Sequence, residues 1–152
     1  MNKMKIAAHA DYSLLRIWRK LLITLSTSPF LHCSLRLKLI KCAGVKVKDK
    51  AFIGANVSFD GIHPELIYIG NGVIITTGTC ILSHFYSVKD NKFYLGEVKI
   101  GDNVFIGMNT LIVKGVTIGD NAVIGAGSII TRDIPSYDVW AGNPAKFIKK
   151  RS

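Results

Sequence analysis

Acidic residues are scarce in this sequence. Ten Asp and Glu stand against twenty Lys and Arg, a formal net charge of +10 at pH 7. The deficit is uneven. Residues 1–50 hold 11 basic and 2 acidic side chains, residues 51–145 hold 5 and 8, and residues 146–152 hold 4 basic and none acidic. Such an excess suggests nucleic acid as a partner, but aromatic stacking platforms and groove-reading motifs are missing, so no nucleic-acid partner is expected. Cysteine is scarce too. Cys33, Cys42 and Cys80 form no CxxC pair, which argues against a disulfide framework. Buried, reduced thiols in a cytoplasmic protein are the expectation. No apolar run reaches the length of a bilayer span: "LLITL" is too short. Asp11 and His9 near the start do not fit a signal peptide. Histidine is limited to His9, His32, His63 and His84.

A strict six-residue clock is present. Ile100, Ile106, Ile112, Ile118, Ile124 and Ile130 recur without a slip. Six is the period of neither a helix nor a flat strand. The fourth place after each is small or β-branched: Val104, Thr110, Val116, Ala122, Ser128 and Ile134. Turn residues separate the hexads. Each hexad therefore reads as a short strand plus a sharp turn, which cannot bury its apolar face alone and must stack into a parallel β-helix. The clock also runs through Val47, Ile53 and Phe59 and through Ile69, Ile75 and Ile81. Three hexads make a triangular coil, which gives four coils: 47–64, 69–86, 100–117 and 118–135. Two insertions break the phase, around "GIHPEL" and around "SHFYSVKDNKFYLGEVK". Both are expected to protrude.

Residues 1–45 are different in kind. "DYSLLRIWRKLLITLS" places Leu14, Ile17, Trp18, Leu21, Leu22 and Leu25 on one helical stripe. "CSLRLKLIKCAG" reads as a second short helix stopping at Gly44, with Pro29 between the two. The expectation is a helical cap over the first coil, whose edge would otherwise be unpaired. A basic amphipathic helix on an anionic membrane is the alternative. The chain thus divides into an N-terminal helical cap, 1–45, and a β-helix domain with a C-terminal tail, 46–152. The fold class is all-β.

The hexads together with "GVTIGDNAVIGAGSIITRDIP" and "AGNPAKFIKK" resemble the hexapeptide-repeat acyltransferases. "DGIHPELIYIG" and "VKIGDNVFIGMNT" resemble their serine-acetyltransferase-like or surface-polysaccharide branch. The resemblance covers residues 45 to 150. It implies a left-handed coil, an acetyl-CoA-dependent O-acetyltransferase, a homotrimer with active sites between subunits, and no metal.

Acyl transfer to an alcohol needs a base, and histidine suits neutral pH, contributing roughly 10²–10⁴-fold. The family places its histidine where the long loop begins, which here is His84 in "ILSHFYS". The branch often has an aspartate next, and Phe85 stands there instead. Coil counting puts Asp60 about 4.8 Å from the rung of His84. Asp60 is therefore a candidate to hold the imidazole, to bind the acceptor hydroxyl, or only to cap turn amides. His63 is a second candidate base, with Glu65 as acidic support. Counting by eighteen stacks Gly107 on Gly125 and Met108 on Ala126, a small-residue ladder suited to an extended pantetheine arm. The family resemblance carries over Met108, Ala126, Thr131 and Arg132 as cofactor contacts, then Lys146 and Lys149 in the tail. Pro144 is expected to stop further strand pairing and leave those lysines free. Asn109 lies where some relatives carry a second histidine, and is a candidate to polarise the thioester or orient His84.

The expected acceptor is a hydroxyl of a sugar or surface-polysaccharide precursor. Alternatives are serine O-acetylation or N-acetylation of an amino sugar. Outside that class stand a zinc enzyme of the γ-carbonic-anhydrase type, for which the coil offers too few histidines, and a non-catalytic scaffold.

Overall fold

The computed structural model describes residues 5–6 and 14–151. His9 and Asp11 lie outside them. A short strand β1 (Lys5–Ile6) is followed by helices α1 (Leu14–Ser26) and α2 (Cys33–Cys42). Four coils of short strands come next: β2 (Lys46–Val47), β3 (Phe52–Ile53) and β4 (Ser58–Phe59), then β5 (Ile67–Ile69), β6 (Ile74–Ile75) and β7 (Cys80–Ile81). A hairpin, β8 (His84–Ser87) and β9 (Lys92–Leu95), stands between the second and third coils. The third coil is β10 (Val98–Ile100), β11 (Phe105–Ile106) and β12 (Leu111–Ile112). The fourth is β13 (Thr117–Ile118), β14 (Val123–Ile124) and β15 (Ile129–Ile130). β16 (Asp138–Ala141) begins a fifth turn, and β17 (Lys146–Lys150) ends the chain.

Equivalent strands stack in parallel register to make three walls. The first wall is β2, β5, β10 and β13. The second is β3, β6, β11 and β14, continued by β16 and β17. The third is β4, β7, β12 and β15. The hexad clock is the register itself: Ile53 lies beside Ile75, Ile75 beside Ile106, and Ile106 beside Ile124. Strand side chains alternate, so the second residue of each dipeptide faces inward. Ile53, Ile75, Ile81, Ile106, Ile112, Ile118, Ile124 and Ile130 are all essentially buried. Each such side chain contributes about 1.5–3 kcal/mol. The fourth-place residues close the corners. Thr110 Oγ1 donates to Gly107 O at 2.7 Å and Ser128 Oγ to Gly125 O at 2.6 Å, which satisfies carbonyls that the sharp turns leave without a strand partner.

Arg36 of α2 fastens the cap to the coil. Its buried guanidinium donates to the carbonyls of Ser26, Ser28, Leu31 and Ile53, at 2.8–3.0 Å. Leu22, Ile23 and Ile40 of the helices share one core with the lumen isoleucines.

Four expectations need correction. Of the stripe expected to seat α1 on the coil only Leu22 is buried: Leu14 is 85% exposed, Trp18 57% and Leu21 47%. α1 docks through Leu22 together with Ile23 and Ser26, beside the rest of the stripe. The tail is not free beyond Pro144. That proline sits in the turn before β17, where its missing N–H breaks no pairing, and β17 then pairs antiparallel with β16. The thiols are not buried either. Cys33 and Cys42 are exposed, and Cys80, as the outward residue of its strand, is partly so. The short insertion, which includes a 3₁₀ turn at Pro64–Leu66, does not wholly protrude: Pro64 is buried.

Candidate active site

The corner between the third and first walls gathers the chemistry. Ile81 ends β7 in the wall, the chain turns through Ser83, and His84 opens the hairpin. Asp60 follows β4 one coil earlier, at the same corner. Its side chain is fully buried and its oxygens are divided between two tasks. Oδ1 accepts the amides of Ile62 at 2.8 Å and His63 at 3.2 Å. Oδ2 accepts Ser83 Oγ at 2.6 Å and the Ser83 amide at 3.0 Å, and lies 2.5 Å from His84 Nδ1. Asp60 therefore caps a turn and holds the imidazole at once. Burial pushes its carboxyl up, but the hydrogen bonds from Ser83, His84 and the Ile62 amide outweigh that, and the pKa lies below the ordinary value. The His84 side chain keeps 26% of its surface open.

Two neighbours at this corner are not prominent in the sequence. Ser83 reads as a turn residue, yet its hydroxyl bonds Asp60 and the carbonyl of His63. The long loop folds as an aromatic hairpin. Phe93 lies 6.3 Å from the His84 ring and packs against Tyr86 at 5.0 Å, while Phe85 stacks on Tyr94 at 5.6 Å. The paired aromatics of "HFYS" and "KFYL", residue types that favour strands, are the signal for them.

His63 has a carboxylate of its own. Its Nδ1 lies 3.1 Å from Glu65 Oε1, and Glu65 Oε2 accepts from Arg19 Nη1 of α1 at 3.0 Å. Glu65 thus supports His63 and joins α1 to this corner.

The sequence-derived cofactor candidates divide between two corners. Gly107, Met108, Asn109 and Ala126 lie where the second wall meets the third, by the register of β11 with β14. Met108 is 51% exposed and Ala126 is exposed. Lys146 stands near them, paired with Ala141, whose Cβ lies against Gly125. Lys149 pairs with Val139, about 10 Å back along the strand. Thr131 and Arg132 follow β15 and so lie at the His84 corner, two coils along. Asn109 does not approach His84 within one chain. It adopts φ +55°, and its side chain packs over Gly78 of the coil before.

The glycine ladder has a different basis from the one expected. A Cβ on Gly107 would lie 2.5 Å from the Ala126 amide nitrogen, and one on Gly125 2.7 Å from the Ala141 Cβ. These glycines make room for the next coil. Gly127 is the open position. It has φ +69° and nothing within 4 Å of a built Cβ. Among the described residues, no group of three or more His, Cys, Asp or Glu side chains could hold a metal ion, and no helix is long and apolar enough to cross a membrane.

Comparison with known proteins agrees with this architecture. Residues 97–132 match the model described as bacterial transferase hexapeptide (six repeats). Protein CapG of Staphylococcus aureus is 47% identical over 117 residues, which are 72% of this chain and 68% of that protein. The putative acetyltransferase YvoF of Bacillus subtilis is 39% identical over 104 residues, and the match spans 59% of its length. Among solved structures, a maltose O-acetyltransferase from Clostridium difficile superposes with a TM-score of 0.75 at 29% identity, covering 97% of this chain and 93% of that one. A galactoside acetyltransferase in complex with coenzyme A gives 0.71 at 29% identity, covering 97% and 87%. The fold they share with this chain is a left-handed parallel β-helix.

Proposed function

The chain belongs to the bacterial hexapeptide-repeat transferases, a family of acyltransferases, and on that footing we propose that it moves an acetyl group from acetyl-coenzyme A to a hydroxyl of a sugar or surface-polysaccharide precursor. The Asp60–His84 pair carries this reading. With Asp60 accepting at Nδ1, that nitrogen holds the proton and Nε2 is left with a lone pair. Nε2 takes the acceptor's hydroxyl proton as the oxygen approaches the thioester carbonyl. It returns that proton to the departing thiol. Asp60 stabilises the imidazolium between these two events and does not itself need to accept the proton.

Acetyl-coenzyme A supplies the electrophilic carbonyl, and the corner of Met108, Ala126 and Gly127 suits its pantetheine arm. That corner is exposed, has open space at Gly127, and has Lys146 beside it for a phosphate. Lys149 and Arg132 are further off in one chain. The third wall separates the two corners, so a homotrimer that sets the His84 corner of one subunit against the Met108 corner of the next completes the site. Its expected mass is about 50 kDa, from three chains of 16.7 kDa. The two solved relatives, a maltose and a galactoside acetyltransferase, favour a sugar hydroxyl. The hairpin aromatics Tyr86 and Phe93, half-exposed beside His84, offer apolar surface to a sugar ring.

The test is a panel of free, nucleotide-linked and lipid-linked sugars with acetyl-coenzyme A, read by thiol release. Acceptor-dependent release with a sugar supports the reading. Release with serine alone would move the assignment to serine acetylation.

A further inference from the structure

α1 has two apolar faces, and only one of them is used. At 100° per residue, Leu22, Ile23 and Ser26 point to the coil. Leu14, Ile17, Trp18, Leu21 and Leu25 fall within an arc of about 100° whose centre lies about 130° from theirs. All five are exposed, and Leu15 and Phe30 add to the bare surface. A solvent-facing helix would carry polar residues there. Instead the cation nearest the stripe, Lys20, stands about 60° from its edge, Arg16 lies further round, and α1 holds no acidic residue. The first 50 residues carry most of the chain's positive excess, and exposed Lys38 of α2 extends it.

We infer that the outer face of α1 docks the protein on an anionic lipid surface. Aliphatic side chains and a tryptophan enter the headgroup–acyl boundary while the cations of this basic segment meet lipid phosphates. A 13-residue helix is about 20 Å long, enough to lie along that surface but not to cross it. A second copy of this chain is the less suitable occupant, because packing two such faces together would bring together two helices that each carry Arg16 and Lys20 and no acidic residue. The placement of α1 gives the docking a purpose. Arg19 pairs with Glu65, and the Lys20 side chain packs where a Cβ on Gly61 would stand, one residue after Asp60. A membrane under α1 therefore lies beside the corner that holds His84. On the sugar-acceptor reading above, the acceptor is then one carried on a lipid.

Flotation with vesicles tests the docking without acceptor or acetyl-coenzyme A, so its failure leaves the sugar reading untouched. The parent is expected to float with vesicles of phosphatidylglycerol and phosphatidylcholine. Pure phosphatidylcholine should bind it at least tenfold more weakly. Trp18→Glu combined with Leu21→Glu should lose at least tenfold in binding while retaining the parent's thermal midpoint, oligomeric mass and turnover with a water-soluble acceptor. High salt should weaken binding. Two results overturn the inference: no flotation with anionic vesicles at millimolar lipid, or a fall in oligomeric mass in the double variant, which would make the stripe an interface between copies.

Discussion

His84 Nδ1 lies 2.5 Å from Asp60 Oδ2, although the two residues are 24 positions apart in the chain. The coil brings them together by returning to the same corner one strand spacing on. Asp60 replaces the carboxylate that Phe85 does not supply. Asp60→Asn is therefore expected to lower turnover by about 10²–10⁴-fold, because an amide no longer fixes the tautomer or stabilises the imidazolium. The Michaelis constant for acetyl-coenzyme A should change little. Steady-state kinetics separates the two, and near-normal turnover would make Asp60 only a turn cap.

The same carboxylate sets an acid limit. Its folded pKa lies below the ordinary value of 3.8. A group lowered in this way stabilises the fold above its unfolded pKa and loses that contribution as pH falls through the folded value. Thermal midpoints measured from about pH 5 down to 3 should fall for the parent and fall less steeply for Asp60→Asn. Parallel curves would mean that Asp60 carries none of the acid dependence.

Gly107→Ala is a test of how the coils pack. The added Cβ would meet the Ala126 backbone at 2.5 Å. Backbone cannot yield as a flexible side chain can, so the expected loss is about 1–3 kcal/mol by urea denaturation. The displaced turn carries Met108 with it, so acetyl-coenzyme A affinity should fall as well. Unchanged stability would show that the coils separate more easily than their register implies.

Arg36→Met should loosen the cap. It removes a guanidinium from four carbonyls that the packed cap keeps from water. The expected destabilisation is about 2–4 kcal/mol in urea melts, with hydrogen exchange rising first in α1 and α2. A loss below about 0.5 kcal/mol would mean that these carbonyls find water readily.

The β-helix was legible because its period is written in large side chains. An isoleucine every six residues leaves no other way to bury them, and strand register follows from the same count. Asp60 was legible by that arithmetic too. What escaped was set by packing that period does not report. α1 has apolar residues on two faces, and the sequence does not say which one meets the coil. Arg36 reads as one more cation of a basic segment, and only the carbonyls converging on it reveal a clamp. Ser83 reads as a turn. Proline at 144 argued against a last strand, yet it occupies the turn before β17, where its missing N–H does no harm. Gly107 and Gly125 stand out by counting, but only the structure shows the Ala126 backbone and the Ala141 Cβ that press on them.

We propose that the imidazole held by Asp60 is the general base for acyl transfer. Turnover and acetyl-coenzyme A affinity of His84→Ala, measured side by side with the preferred acceptor, test it most directly. The account predicts a fall in turnover of at least about a hundredfold with affinity for acetyl-coenzyme A nearly unchanged. Near-normal turnover in that variant would contradict it and move the role to His63.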